Sequence, residues 1–317
     1  METPVQIGDA GLSFVGTDLH RPECVLATAS GKLFASDRRG GVTVIEPDGR
    51  QHRLGTSSLM PNGIALQRDG SFLVANLSPE GGVWRIGADG TVLPWLMEVD
   101  GVKLPGVNFL QSDAEGRTWI GVSATHTGDH YPIDDATGYI ILHHQGASRV
   151  IADGLRYTNE FRMSADGRFM YVVETFGRRL SRFRIASDGR LIERATVAEF
   201  EAGDIPDGMA LDVEGGTWVV CVVSNRVYRI TPDGKRHTLI DDSDPATIER
   251  IEAAYVSRTL TRPMLSAASG RRLKNITSIA FGGPDMRTAW MGCLGGNALT
   301  SFRSPVAGLK PAHWHWD

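Results

Sequence analysis

Short apolar runs alternate along the chain with turn clusters of Gly, Asp, Asn and Pro, and the alternation has a long-range order. Five stretches share one shape: ECVLATASGKLFAS (23–36), NGIALQRDGSFLVA (62–75), NFLQSDAEGRTWIG (108–121), NEFRMSADGRFMYV (159–172) and DGMALDVEGGTWVV (207–220). Each reads as strand, turn, strand. Eight positions before the turn glycines Gly31, Gly70, Gly116, Gly167 and Gly215 stand Glu23, Asn62, Asn108, Asn159 and Asp207. Taken alone, Pro206-Asp207-Gly208 is ordinary turn chemistry. As the fifth member of a series it marks a repeat position.

The stretches continue alike. A third strand and a further turn follow in GGVTVIEPDGR (40–50), GGVWRIGADGT (81–91), RRLSRFRIASDGR (178–190) and NRVYRITPDGK (225–235). The repeat positions are spaced by 39, 46, 51 and 48 residues, and a looser sixth copy begins near Thr277 or Ser278, about 70 further on. Self-similarity at this period is the mark of propellers and solenoids. The pattern predicts an all-β chain: one six-bladed β-propeller domain over 1–317, with four-stranded blades. The last interval is long because of an insertion at 241–274. There Asp244 as N-cap, Pro245 at the first helical position and Ile248, Ile251 and Tyr255 at helical spacing predict a helix, set either over one end of the channel or on the outer rim.

In a propeller the innermost strands line the channel, so Glu23, Asn62, Asn108, Asn159 and Asp207 converge on the axis. Carboxylates gathered in a narrow, partly dry channel are costly without a counter-charge, and a bound cation supplies it. The donors are all oxygens, which favours Ca²⁺, with Mg²⁺ and Mn²⁺ as alternatives. Zn²⁺ stays open although its usual nitrogen and sulfur ligands are missing.

These residues resemble the senescence marker protein/gluconolactonase/luciferin-regenerating-enzyme family of six-bladed propellers, over about residues 15–303. The resemblance implies four ligands for an axial divalent metal: Glu23 in RPECV, Asn108 in GVNFL, Asn159 in YTNEF and Asp207 in IPDGM. It implies a metal-dependent hydrolase, a lactonase first of all, with Asp207 also the general base. Alternatives on the same site are hydrolysis or isomerisation of other activated carbonyl or phosphotriester compounds, or a non-catalytic propeller pinned by its metal. Asn62 in MPNGIAL is a support or substrate contact, or a plain turn Asn. Two departures concern substrate: where the family's sugar-lactone members carry Arg and Asp around the third-blade Asn, this chain has Gly106 and Phe109. Losing the guanidinium, with Phe109 turned to the pocket, implies a substrate less polar than a sugar acid lactone. Glu160, beside Asn159, is an alternative base, a substrate contact, or the partner of Arg156 or Arg162. His126 and His130, in the polar insertion 123–139, are substrate contacts or solvent-exposed loop residues.

Composition narrows the rest. A chain of 317 residues, 41% hydrophobic and 22% charged, has ample material for a core. A net charge of −4 gives no electrostatic reason to bind nucleic acid or an anionic membrane, and the expected partner is a small-molecule substrate. Cys24, Cys221 and Cys293 have neither metal-like nor disulfide-framework spacing. The absence of a basic, apolar leader and of a run long enough for a bilayer points to the cytoplasm. The terminal PAHWHWD reads as aromatic packing on the fold, against a second metal site at His313 and His315.

Overall fold

The computed structural model describes residues 6–8, 11–125 and 129–317. They form six four-stranded antiparallel sheets in a ring. Blades 1 to 5 span 25–54, 61–96, 109–155, 158–199 and 204–241, each running in sequence order from the axis outward. Blade 6 takes three strands from 276–303, and its fourth, outermost strand is Ser13–Val15 from the start of the chain, with Ser13 opposite Ser301 and Val15 opposite Leu299. Pairing the two ends of the chain in one blade closes the ring and protects its edge.

The turn glycines of the series all adopt left-handed backbone, with φ from 67° at Gly167 to 88° at Gly31. A side chain is strained there, and this is why the series was visible in the sequence. Between blades the core is filled by alternating apolar side chains, such as Trp218 set edge-on to Phe281 at 5.1 Å and Phe109 edge-on to Phe161 at 5.0 Å.

The insertion folds into helix α1 (Pro245–Val256) and the short α2 (Arg262–Ser266). As expected, Asp244 caps α1, accepting from Thr247 N at 2.8 Å. Of the two settings left open by the sequence, the channel end is the one adopted. Ile251, Ala254, Leu260 and Leu265 pack with Tyr157, Phe176 and Val222 over the mouth of the channel. Arg178 anchors the cover, paired to both carboxylate oxygens of Glu252 at 3.1 and 2.5 Å and lying 3.7 Å from the Tyr255 ring centroid.

Candidate axial site

The axial residues sit where the inner strands are irregular. Register shifts interrupt the inner-strand pairing between Pro61 and Ile64, Thr158 and Phe161, Pro206 and Met209, and Ile276 and Ile279. Each bulge holds the repeat residue of its blade: Asn62, Asn159, Asp207, and Thr277 with Ser278. A bulge bends the strand and re-aims a side chain that regular pleating would send into the blade. Asp207 is therefore inside a strand, Asp204–Leu211, and Pro206-Asp207-Gly208 is not a turn. Pro206 is tolerated because this strand is the blade's inner edge. Gly208 is required for another reason: a Cβ there would lie 2.2 Å from the Thr277 carbonyl oxygen of the next blade. In blades 1 and 3 the strands begin later, at Val25 and Phe109, leaving Glu23 and Asn108 at their entrances.

Glu23, Asn62, Asn108, Asn159 and Asp207 line one cavity of about 50 Å³. All five are buried. Asn62 ties blades together, receiving Arg21 Nη1 on its oxygen at 3.0 Å and donating to the Asn108 carbonyl at 2.9 Å. Asn159 donates to Thr175 Oγ1 at 2.9 Å and to the Asp207 carboxylate. Thr277 reaches across the ring closure to the Glu23 carbonyl at 2.6 Å.

The electrostatics are those of a site short of positive charge. Burial pushes Glu23 up to about 7, aided by Glu160 and opposed by Arg21. Burial likewise holds Asp207 well above the usual carboxylate range, with Glu23 and Glu160 adding repulsion. Asn108 Oδ1 is buried with no hydrogen-bond partner, an omission that ordinarily costs about 1–3 kcal/mol. Two carboxylates, an orphaned amide oxygen and a second amide around one small cavity fit a hard divalent cation. Among the described residues no group of three His, Cys, Asp or Glu forms a metal cluster, so amides have to complete the set.

Three residues expected at the substrate face elsewhere. Phe109 and Glu160 each follow a cavity-lining Asn, and neither lines the axial cavity. Phe109 packs on Phe161 beneath the Arg162 guanidinium, 4.7 Å from its ring centroid. Glu160 is the partner of Arg162, at 2.9 Å, and accepts from Met209 N at 3.1 Å. His130 is exposed and bridges Thr261 through the backbone. His126 lies outside the described residues.

Other walls were not legible in the repeat. Arg21, Tyr131, Tyr157, Thr175, Phe176, Arg262 and Leu265 also line the cavity. Arg21 and Tyr157 have φ of 49° and 64°, unusual for bulky residues and typical of constrained functional sites. Tyr131 and Arg262 come from the two insertions, with the Arg262 guanidinium 5.0 Å from the Tyr131 ring centroid.

An all-β ring with a buried oxygen cluster on its axis defines a six-bladed propeller with one axial polar site. Residues 90–245 match the family model described as the SMP-30/Gluconolactonase/LRE-like region, the family that the sequence resembles. It is 26% identical over 253 residues to a 6-deoxy-6-sulfogluconolactonase of Pseudomonas putida, covering 78% of this chain and 71% of that protein. A regucalcin of Danio rerio is 37% identical over 87 residues, which cover 26% of this chain and 30% of the relative's length. Two solved structures share the fold: a gluconolactonase from Xanthomonas campestris, with TM-score 0.70, 19% identity and 96% of each chain covered, and a calcium-binding regucalcin from Agrobacterium tumefaciens, with TM-score 0.68, 18% identity and 98% of each chain covered.

Proposed function

We propose that this protein is a divalent-cation-dependent hydrolase that opens a cyclic ester, a lactonase. The observation that carries the reading is the buried, unpartnered Asn108 Oδ1 beside Glu23, Asn159 and Asp207. The lactonase names among its relatives support the chemistry. Glu23, Asn108, Asn159 and Asp207 would hold the ion, Ca²⁺ before Zn²⁺, Mg²⁺ or Mn²⁺. When bound, such a cation polarises a carbonyl oxygen and acidifies water.

The chain's own residues do the rest. Asp207, a carboxylate at the edge of the ion site, accepts the proton of the attacking water. Glu23 contributes charge, while the amides of Asn108 and Asn159 donate oxygen without neutralising the ion. Asn62 holds Arg21 toward the cavity. The substrate reading changes from the sequence. Phe109 adds no apolar surface, and Arg21, Arg262, Tyr131 and Tyr157 put donors on the walls, so a ring carrying several acceptors fits better than an apolar one. The cavity of about 50 Å³ has space for an ion, and Arg262 and Leu265 of the cover border it on the side from which substrate would enter.

The test is proton release from a panel of sugar-derived and apolar lactones, using chelator-stripped protein with and without each cation. Turnover restored by a cation and lost in Asp207→Asn supports the reading. No turnover with any lactone and any cation rejects it.

A further inference from the structure

Two arginines on the axial cavity stand outside the repeat, and they converge. Arg21 lies two residues before Glu23, Arg262 arrives with the cover at the start of α2, and both line the cavity. The Arg262 guanidinium rests on the Tyr131 ring and has Tyr157 and Tyr131 as side-chain hydrogen-bond partners. Tyr131 marks the meeting point: burial first, and then Tyr157, raise its phenol above the ordinary range, while the charges of Arg262 and Arg21 both oppose the rise. Arg21 also differs from the arginines of the blades. Arg39, Arg162, Arg179, Arg226 and Arg229 are each paired to a buried carboxylate at 2.6–3.2 Å. Arg21 instead donates to the neutral Asn62 amide at 3.0 Å and, among the described residues, forms no ion pair.

Charge decides what the site lacks once it is loaded. The charged side chains on the wall are Glu23, Asp207, Arg21 and Arg262, two of each sign. A divalent cation held by Glu23 and Asp207 takes up both negative charges. Two guanidinium charges then remain on the wall of a small pocket, where unmatched charge is costly. We propose that Arg21 and Arg262 form a carboxylate-binding subsite, so that the cyclic ester opened here carries an acidic group; this rests on the lactonase reading and narrows its substrate class. The guanidinium fork matches the two coplanar oxygens of a carboxylate, and hydrogen bonds between ionised groups are about twice as strong as neutral ones. A ring whose acceptors are all hydroxyls would leave the surplus charge unmatched.

The probe is pyroglutamate, a lactam carboxylate that resists hydrolysis, with its neutral amide as the control, each titrated by calorimetry at neutral pH into the Ca²⁺-loaded full chain. Pyroglutamate should bind saturably and at least about 10-fold more tightly than the amide, the scale of a hydrogen bond to a charged group. Arg21→Gln and Arg262→Gln should each cut that preference severalfold, and Arg262→Lys should keep part of it, since it retains the charge without the fork. Failure of pyroglutamate to bind, equal or tighter binding of the amide, or a preference that survives both Gln variants would overturn the proposal. Should Arg21→Gln not fold, Arg262→Gln decides alone. The two readings fail separately. Ca²⁺-dependent opening of neutral lactones with no preference for pyroglutamate rejects only the subsite, whereas arginine-dependent binding of pyroglutamate with no turnover of any lactone rejects only the lactonase reading.

Discussion

Buried carboxylates occur in two settings in this propeller, and their surroundings differ more than their burial. Glu174, in blade 4, is fully buried and meets Arg179 at 2.9 and 2.8 Å, Ser181 Oγ at 2.5 Å, Arg156 N at 2.9 Å, and Arg194. Burial would raise its pKa, but these donors win and hold it at about 2. Asp37, in blade 1, is buried with Arg39 and Thr43 as partners and is also lowered. On the axis, burial pushes Glu23 and Asp207 up, with repulsion between carboxylates added and too few donors to oppose it. Blade acids carry their counter-charges within the fold. The axial pair lacks enough, and it is this shortfall on which the proposed cation site rests.

Substitution should separate the two settings most sharply. Asp207→Asn is expected to lower kcat/KM on a lactone by about 100-fold or more, the scale for a lost general base. Its metal-free melting temperature should hold or rise as repulsion is relieved. Glu174→Ala should do the reverse, lowering stability by about 3 kcal/mol because it leaves Arg179 and Arg194 without their partner, as read by denaturant titration, with cation binding retained.

The same contrast gives opposite pH slopes. Glu174 has a folded pKa below its ordinary 4.5, so its stabilisation is present above 4.5 and fades as pH falls toward about 2, by up to about 3 kcal/mol. Glu23 has a folded pKa raised to about 7, so the metal-free fold loses up to about 3 kcal/mol as pH rises from 4.5 through 7. Added Ca²⁺ should remove that second loss and leave the first, in melting curves taken across pH. The smallest effect is expected from His130→Ala, which should change kcat/KM by less than about 2-fold because the side chain is exposed outside the axial cavity.

Much of this was legible because propellers repeat. The turn glycines need left-handed backbone, so their spacing exposed the blades, and counting back from them found Glu23, Asn62, Asn108, Asn159 and Asp207. The start of α1 was equally readable, since Asp244 and Pro245 act locally. What the repeat could not carry was direction and insertion. Phe109 and Glu160 sit one residue beyond axial positions, and whether they share a cavity with their neighbours depends on the local bulge or strand start. Of the readings the sequence left open for Glu160, pairing with Arg162 is the one adopted, and side-chain reach rather than spacing decides it. Tyr131 and Arg262 arrive from segments with no counterpart in other blades, so no spacing predicted their convergence on the axis.

The central claim is that the axial oxygens form a divalent-cation site, and calorimetric titration of Ca²⁺ into chelator-stripped protein tests it most directly. One ion per chain is expected, with binding lost or severely weakened in both Glu23→Gln and Asp207→Asn and unchanged in Glu174→Gln. Absence of binding, or binding that survives both axial substitutions, would contradict the account.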